Sequence, residues 1–264
     1  MPRFAANLSL LFTELPFLDR FAAAAEAGFE GVEMLFPYEW PASEIAAALQ
    51  NNGLSLVLFN IWPGNWDAGE RGLAGIPGRE TEFEGRVAEA LRYAEQLGCL
   101  RLHAMAGLTQ HGANVSTYYA NLERAARMAE PHGISILIEP INTRDMPGYL
   151  LSRTEDARTA IEAVAASNLG LQLDLYHRHL QQGGAEAAIT EYADLVRHYQ
   201  IAGPPDRGEP DAGDLDYSLL FQSIDATGYR GWIGCEYRPR TGTMAGLGWA
   251  QRCGVRFDGK PLER

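Results

Sequence analysis

The 264-residue sequence predicts a single α/β domain, a closed (β/α)8 TIM barrel. Three observations predict it. Eight short apolar or β-branched runs alternate with longer segments whose apolar residues recur at helical spacing, the pattern of repeated βα units. The runs are continuously apolar rather than alternating, as strands of a parallel sheet covered on both faces must be. No GxGxxG motif follows the first run, so an open dinucleotide-binding sheet lacks its main signature, and this length suits the closed barrel.

The strand candidates end near "FAANLS", "GVEMLF", "LSLVLFN", "LRLHAM", "ISILIEP", "LGLQLDLYH", "VRHYQIAG" and "GWIGCEY". Between them the periodicity predicts helices over Pro16–Ala27, Ser43–Gln50, Glu80–Leu97, Asn121–Glu130, Glu155–Ala166, Gly184–Tyr192 and Tyr217–Ala226. Pro16 suits a first helical position, Gly28, Gly53 and Gly98 suit helix stops, and Ser43 and Thr154 with Asp156 suit caps. No linker or low-complexity segment divides the chain. Residues 1–250 therefore read as one barrel domain, and 251–264 as a C-terminal tail without a motif. The longest non-periodic stretch, "NIWPGNWDAGERGLAGIPGRE" after the third strand, is rich in glycine and carries two tryptophans, which favours a packed lid. If those tryptophans were exposed they would suggest a contact in a homo-oligomer.

Composition narrows the function. A net charge of -12 lacks the basic footprint of a nucleic-acid binder, disfavours docking on anionic lipid, and suits a protein that holds a cation. The cysteines Cys99, Cys235 and Cys253 are odd in number and show no CxxC spacing. Neither a disulfide framework nor a thiolate zinc site is expected, and a reducing cytoplasm is the simplest setting. The apolar run near the N-terminus is broken by Asn7, Ser9, Thr13 and Glu14, so it reads neither as a secretory h-region nor as a membrane span. The sole lysine, Lys260, lies in the polar tail, which removes Schiff-base chemistry and a P-loop.

Active sites of such barrels lie at the C-terminal ends of the strands. Three acids terminate apolar runs: Glu139 in "ILIEP", Asp174 in "LQLDLYH" and Glu236 in "IGCEYRP". Gln200 in "RHYQIAG" takes the corresponding place on the strand between the last two. Pro140 biases Glu139 toward an extended backbone. One such acid alone is as readily an N-cap or a salt-bridge partner. Four polar ends on consecutive strands, the fifth to the eighth, are harder to explain as caps. Three carboxylates in one half-buried pocket must take up protons, pair with cations or hold a metal. An all-oxygen donor set favours a hard divalent ion, Mg²⁺ or Mn²⁺, over Zn²⁺.

Other polar residues carry two readings each. His177, three positions after Asp174, is placed to reach a substrate oxygen, or is an exposed loop histidine. Arg207 in "PPDRGEPD" is a bidentate clamp for a substrate carboxylate, or a partner of Asp206, Glu209 or Asp211. Glu33 reads as an interior barrel acid. His103 and His111 are weaker candidates, Arg71 and Glu70 contact substrate or each other, and His179 reads as solvated.

The sequence resembles the hydroxypyruvate isomerase family within the xylose-isomerase-like barrels. The resemblance runs to about Trp249 and is carried by "FAANLSLLF", "GFEGVEMLFPY", "AGERGLAGIPGRE", "LIEPIN", "QLDLYH", "QIAGPPDRGEPDAGDLDY" and "GWIGCEYRPR". It implies a metal-assisted aldose–ketose isomerase of a small hydroxy-oxo acid, interconverting hydroxypyruvate and tartronate semialdehyde through an enediolate. It implies metal positions at Glu139, Asp174, Gln200 and Glu236, with Glu139 and Glu236 doubling as the acid/base pair. Related sugar epimerases commonly carry histidine where Gln200 stands. "QIAGPPDRGEPD" is closer to a sister branch acting on four-carbon 2-oxo-tetronates, and "LIEPIN" to the hydroxypyruvate branch, so substrate length stays open. Rival readings are a keto-sugar 3-epimerase, a small-acid binding protein without catalysis, and metal-dependent cleavage of damaged DNA. The last needs a histidine-rich zinc cluster and a basic face, whereas this acidic chain has six histidines in total.

Overall fold

In a computed structural model describing residues 3–257, eight parallel strands close into a barrel in sequence order, the last pairing with the first. The strands are β1 (Arg3–Asn7), β2 (Gly31–Met34), β3 (Ser55–Asn60), β4 (Arg101–His103), β5 (Ser135–Ile138), β6 (Leu169–Asp174), β7 (Val196–Ile201) and β8 (Trp232–Cys235). Around them lie α1 (Arg20–Glu26), α2 (Ala42–Asn52), α3 (Glu80–Leu97), α4 (Val115–Ala129), α5 (Thr154–Val164), α6 (Leu175–Gln182), α7 (Ala185–Glu191) and α8 (Tyr217–Ala226). Two short helices, α9 (Thr243–Gly246) and α10 (Trp249–Arg252), follow β8. The eight strands, the closed parallel order and the outer helices are those the sequence pattern implies. Among the described residues no helix is long and apolar enough to cross a membrane.

The barrel interior is layered. At the N-terminal end Trp232 fills the space over Gly31, where any Cβ would collide with its ring, and the Arg3 guanidinium lies 4.1 Å from the ring centroid. Ala5, Val57, Leu58 and Leu137 complete this apolar cluster. Two residues further along the same strand faces, the interior turns polar, with Glu33 on β2, Gln172 on β6 and His198 on β7 all buried. Gly234 on β8 leaves the room that the Glu33 carboxylate fills. The next step toward the C-terminal end brings Asp174 and Gln200, directly paired across β6 and β7, into the layer at the strand ends.

Several local expectations are corrected. Gly53 and Gly98 do end α2 and α3 in the left-handed conformation, at φ 64° and 66°. Ser43 and Thr154 are not caps: Pro41 and Arg153 take those positions without a side-chain bond. Thr154 is buried, and its N–H donates to Gln182 Oε1 at 2.9 Å. α4 starts six residues before Asn121, at Val115, because the Asn114 side chain accepts from the Thr117 N–H. α6 was not anticipated, since "LYHRHLQQ" continues the apolar run of β6 without punctuation other than Asp174 itself.

The segment after residue 250 stays on the barrel as far as it is described. Phe257 stacks on Phe29 with ring centroids 4.1 Å apart and meets Phe4 edge-on, and its carbonyl accepts from the Phe4 N–H at 3.3 Å. The rest of the expected tail lies outside the described residues.

Candidate active site

The carboxylates arrive by rigid routes. Glu139 is the first residue past β5, Asp174 the last of β6, Gln200 the penultimate of β7 and Glu236 the first past β8. All four side chains are buried, as is His177 in the first turn of α6. Glu139, Glu236 and His177 border a cavity of about 540 Å³ whose walls also include Trp66, Arg71, Arg144, Asp145, Gln172, Tyr176, Asp206, Arg207 and Arg238, whereas Asp174 and Gln200 lie behind this lining.

Asp174 serves two ends at once. Its Oδ1 accepts from the backbone N–H groups of Tyr176 and His177 and starts α6, so the capping alternative holds for one oxygen. Its Oδ2 is buried without a hydrogen-bond partner, and so is Oε1 of Glu139. His177 Nε2 stands 3.7 Å from each of these two oxygens, and Glu139, Asp174 and His177 present ligand atoms within 4.8 Å of one another.

The role of His177 follows from its other nitrogen. The Asn142 amide is oriented by its Oδ1, which accepts from the Asp145 N–H at 2.8 Å, so its Nδ2 faces His177 Nδ1 as donor. Nδ1 is then the acceptor and Nε2 carries the proton. In that tautomer His177 offers an N–H into the cavity rather than a lone pair to a cation. This arrangement suits contact with a substrate oxygen.

Gln200 is enclosed by hydrogen bonds. Its Nε2 donates to Glu33 Oε1 at 2.8 Å and to Glu236 Oε2, while its Oε1 accepts from Gln172 Nε2 at 2.6 Å. Gln172 also donates to Glu139 Oε2 at 3.0 Å. Below them Glu33 accepts from Asn7 at 3.1 Å and pairs with His198 at 2.6 Å, which makes it the interior barrel acid expected.

Arg207 meets none of the partners weighed for it from sequence. Its Nη2 lies 2.6 Å from Glu236 Oε1 and 3.5 Å from Asp174 Oδ2. The guanidinium thus supplies the cation that three crowded carboxylates require. Burial disfavours its charge, but Glu236, Asp174 and Glu139 outweigh burial and hold it firmly protonated.

The acids are pushed the other way. Burial, with Glu236 and Asp174 adding to it, raises the Glu139 carboxyl well above the usual range. Burial lifts Asp174 to about 6 and Glu236 to about 8 against the pull of Arg207. Burial drives His103 down to about 3 and, with Arg207 and His103 adding to it, takes His177 well below its usual value. Both histidines are therefore neutral, and the Asp174 and Glu236 carboxyls are poised to exchange protons near neutrality.

The lid after β3 is packed. Trp62 lies 5.9 Å from Tyr38 and Trp66 5.4 Å from Phe36, centroid to centroid, so both rings are half-buried against this chain. Glu70 pairs with Arg79 rather than with Arg71. His179 is paired as well, 2.9 Å from Asp214.

The sequence model of the xylose isomerase-like TIM barrel matches residues 21–253. The chain belongs to that family. Among its family relatives, 2-oxo-tetronate isomerase of Cupriavidus necator is 53% identical over 94% of this chain and 97% of its own length. Hydroxypyruvate isomerase of Escherichia coli is 46% identical over 94% of this chain and 98% of its own. A crystal structure described as an AP endonuclease of family 2, from Brucella melitensis, superposes with a TM-score of 0.93 at 49% identity, covering 96% of this chain and 99% of that one. D-psicose 3-epimerase of Clostridium cellulolyticum, 15% identical at a TM-score of 0.73 over 94% of this chain and 90% of that one, shares the fold. The relatives at 40–53% identity carry isomerase names.

Within this family architecture, the site fits a divalent cation on its own evidence. Two buried carboxylates, Glu139 and Asp174, each keep an oxygen without a hydrogen-bond partner, and with His177 they present ligand atoms within 4.8 Å of one another. Residues that sequence reasoning missed are Gln172, Asn142, Asn7 and His198. The signal for Gln172 was present: it stands two residues before Asp174, and inward-facing positions recur with period two.

Proposed function

We propose that this chain is a metal-assisted isomerase of short hydroxy-oxo acids, interconverting hydroxypyruvate and tartronate semialdehyde by proton transfer. The observation that carries the reading is the pair Glu139 and Glu236. Two strand-end glutamates face one cavity, each with a raised proton affinity, on strands separated by β6 and β7. One removes the proton from the hydroxyl-bearing carbon and the other returns a proton to its neighbour, passing through an enediolate, while the hydroxyl proton passes to the former carbonyl oxygen. Such positioned acid/base help is worth about 10²–10⁴-fold. Glu139 and Asp174 would anchor the cation through their unpartnered oxygens, and Gln200 and Glu236 would complete an oxygen set that suits Mg²⁺ or Mn²⁺ by exchanging their hydrogen bonds to Gln172 and Arg207 for the ion. The bound ion would supply Lewis-acid stabilisation of the developing oxyanion. His177 donates its Nε2 proton toward a substrate oxygen, and Arg207 balances the acids and the incoming anion.

A second substrate reading, a four-carbon 2-oxo-tetronate, is favoured by the 53% identity to an isomerase named for that acid. Both acids place carbonyl and hydroxyl beside the carboxylate, so the same proton transfer serves either. Cleavage of damaged DNA is disfavoured by the net charge of -12 and by a candidate metal cluster containing one histidine. The free cysteines fit a reducing compartment, and the cytoplasm is the proposed location.

The deciding experiment compares hydroxypyruvate and 2-oxo-tetronates as substrates of the metal-reconstituted protein in D₂O, with product analysis. Movement of the carbonyl with deuterium incorporation is expected. An epimer with its carbonyl unmoved, or absence of turnover with every acid, overturns the reading. Glu236→Gln should abolish turnover with the fold intact, and near-normal activity in the loaded variant would sink the acid/base assignment.

A further inference from the structure

Four arginines line the cavity: Arg71, Arg144, Arg207 and Arg238. Arg207 is engaged by Glu236 and Asp174. Arg144 and Arg238 are exposed at the rim, where water screens their charge. Arg71 differs from all three. It is half-buried in the wall, and among the described residues it has no ion-pair partner, with Asp67 acting on it only at longer range.

Its guanidinium is nonetheless fixed. Nη1 donates to the carbonyls of Trp66 at 2.9 Å and Glu70 at 2.7 Å, and the guanidinium carbon lies over the Trp66 ring, 3.8 Å from its centroid. Those contacts occupy one nitrogen and one face, and they leave Nε and Nη2 as donors. The adjacent carboxylate, Glu70, is held away by Arg79 and by the Asn65 N–H. The loop thus spends its own acid elsewhere and keeps a positive charge facing the cavity. A fixed guanidinium edge with free donors matches a carboxylate.

The position is suited to substrate. Arg71 belongs to the loop after β3, four strands around the eight-stranded ring from β7, whose loop carries Arg207. A small acid lying across the mouth meets Arg71 on one side and the carboxylate layer on the other. We propose that Arg71 receives the substrate's carboxylate, so that the two carbons beside it lie between Glu139 and Glu236 and neutral ketoses are rejected. This rests on the oxo-acid isomerase reading above. Arg71 is on this account a specificity-determining residue, distinct from the proton-transfer pair.

The test combines binding with kinetics on full-length, metal-loaded protein. Wild type should bind D-glycerate, an unreactive three-carbon acid, with an affinity that falls as salt rises, and should not detectably bind glycerol. Arg71→Gln should weaken D-glycerate binding about 10- to 100-fold and raise KM for the turned-over oxo acid similarly, with a smaller change in kcat. Arg71→Lys should recover part of the loss, and methylguanidinium should partly restore Arg71→Ala, which a purely structural role would not allow. Equal binding of glycerol and D-glycerate by wild type overturns the proposal. So does unchanged D-glycerate affinity in Arg71→Gln with an unaltered melting temperature. The isomerase reading fails separately, if wild type turns over none of the acids, because D-glycerate binding is read without turnover.

Discussion

Gln172 and Gln200 are joined amide to amide at 2.6 Å and tie Glu139 to Glu236 through an unbroken run of hydrogen bonds. Each glutamate has one oxygen held by an amide N–H; the other oxygen of Glu139 has no hydrogen-bond partner, and that of Glu236 is held by Arg207. Glu33 and His198 anchor the run from beneath. Two side chains that never need to ionise therefore fix the separation and aim of two that do.

Gln172→Leu removes the donor of both Glu139 Oε2 and Gln200 Oε1. Leaving buried acceptors unsatisfied should reduce stability by about 1–3 kcal/mol. Loss of such supporting contacts should lower activity or metal affinity about 10- to 100-fold. Urea denaturation beside steady-state kinetics checks both, and an unchanged kcat with unchanged metal affinity would show that the amide run does not position the glutamates.

The pH dependence of the metal-free protein follows from the raised carboxyls. The usual range for Asp and Glu is about 4, whereas Asp174 sits at about 6, Glu236 at about 8, and Glu139 well above its usual value. The folded state therefore holds protons that the unfolded state releases. The stability that Asp174 and Glu236 contribute is full below about pH 4 and is lost as pH rises through about 6 and about 8, with Glu139 acting in the same direction. Denaturation of metal-free protein should show lower stability at pH 8.5 than at pH 5.5. Addition of Mg²⁺ or Mn²⁺ should offset the loss. Near pH 6.5, ion binding should expel on the order of one proton, read by calorimetry in buffers of different ionisation enthalpy. Stability that rises across this window would contradict the assignment.

Gly72→Ala tests the seat of the lid. Gly72 sits at φ 127°, and a Cβ there would overlap the carbonyl of Met105. Strain and collision together should destabilise the protein by more than about 1 kcal/mol. Because Arg71 is the preceding residue, KM should rise well beyond any change in kcat. Gly69→Ala is the comparison, since it has positive φ and open space around its Cβ, and should perturb KM less.

The barrel was legible because its strands are apolar end to end and its helices are punctuated by glycines such as Gly53 and Gly98. α6 was not, because the residue that starts it is also the residue that ends β6. The acids Glu139, Asp174 and Glu236 stood out as charges closing apolar runs. Gln172 and His198 did not, since a neutral polar residue inside a strand carries no mark of what it will meet across the barrel. The partners of Arg207 were beyond reach for the same reason. They lie 29 and 33 positions away from it in sequence, at Glu236 and Asp174, and only closure of the sheet brings them together. Tautomer choice at His177 likewise depends on Asn142, 35 residues upstream.

The glutamates proposed for proton transfer stand at the ends of β5 and β8, whereas Arg71 is presented by a glycine-hinged loop after β3, two strands from one and three from the other. On the proposed assignment, chemistry and recognition are written in separate parts of the gene. Changes to the β3 loop can retune the length or shape of the acid that is accepted without disturbing the glutamates. That modularity gives a lineage a short route from one oxo acid to the next, through substitutions that leave the barrel's inner layers untouched.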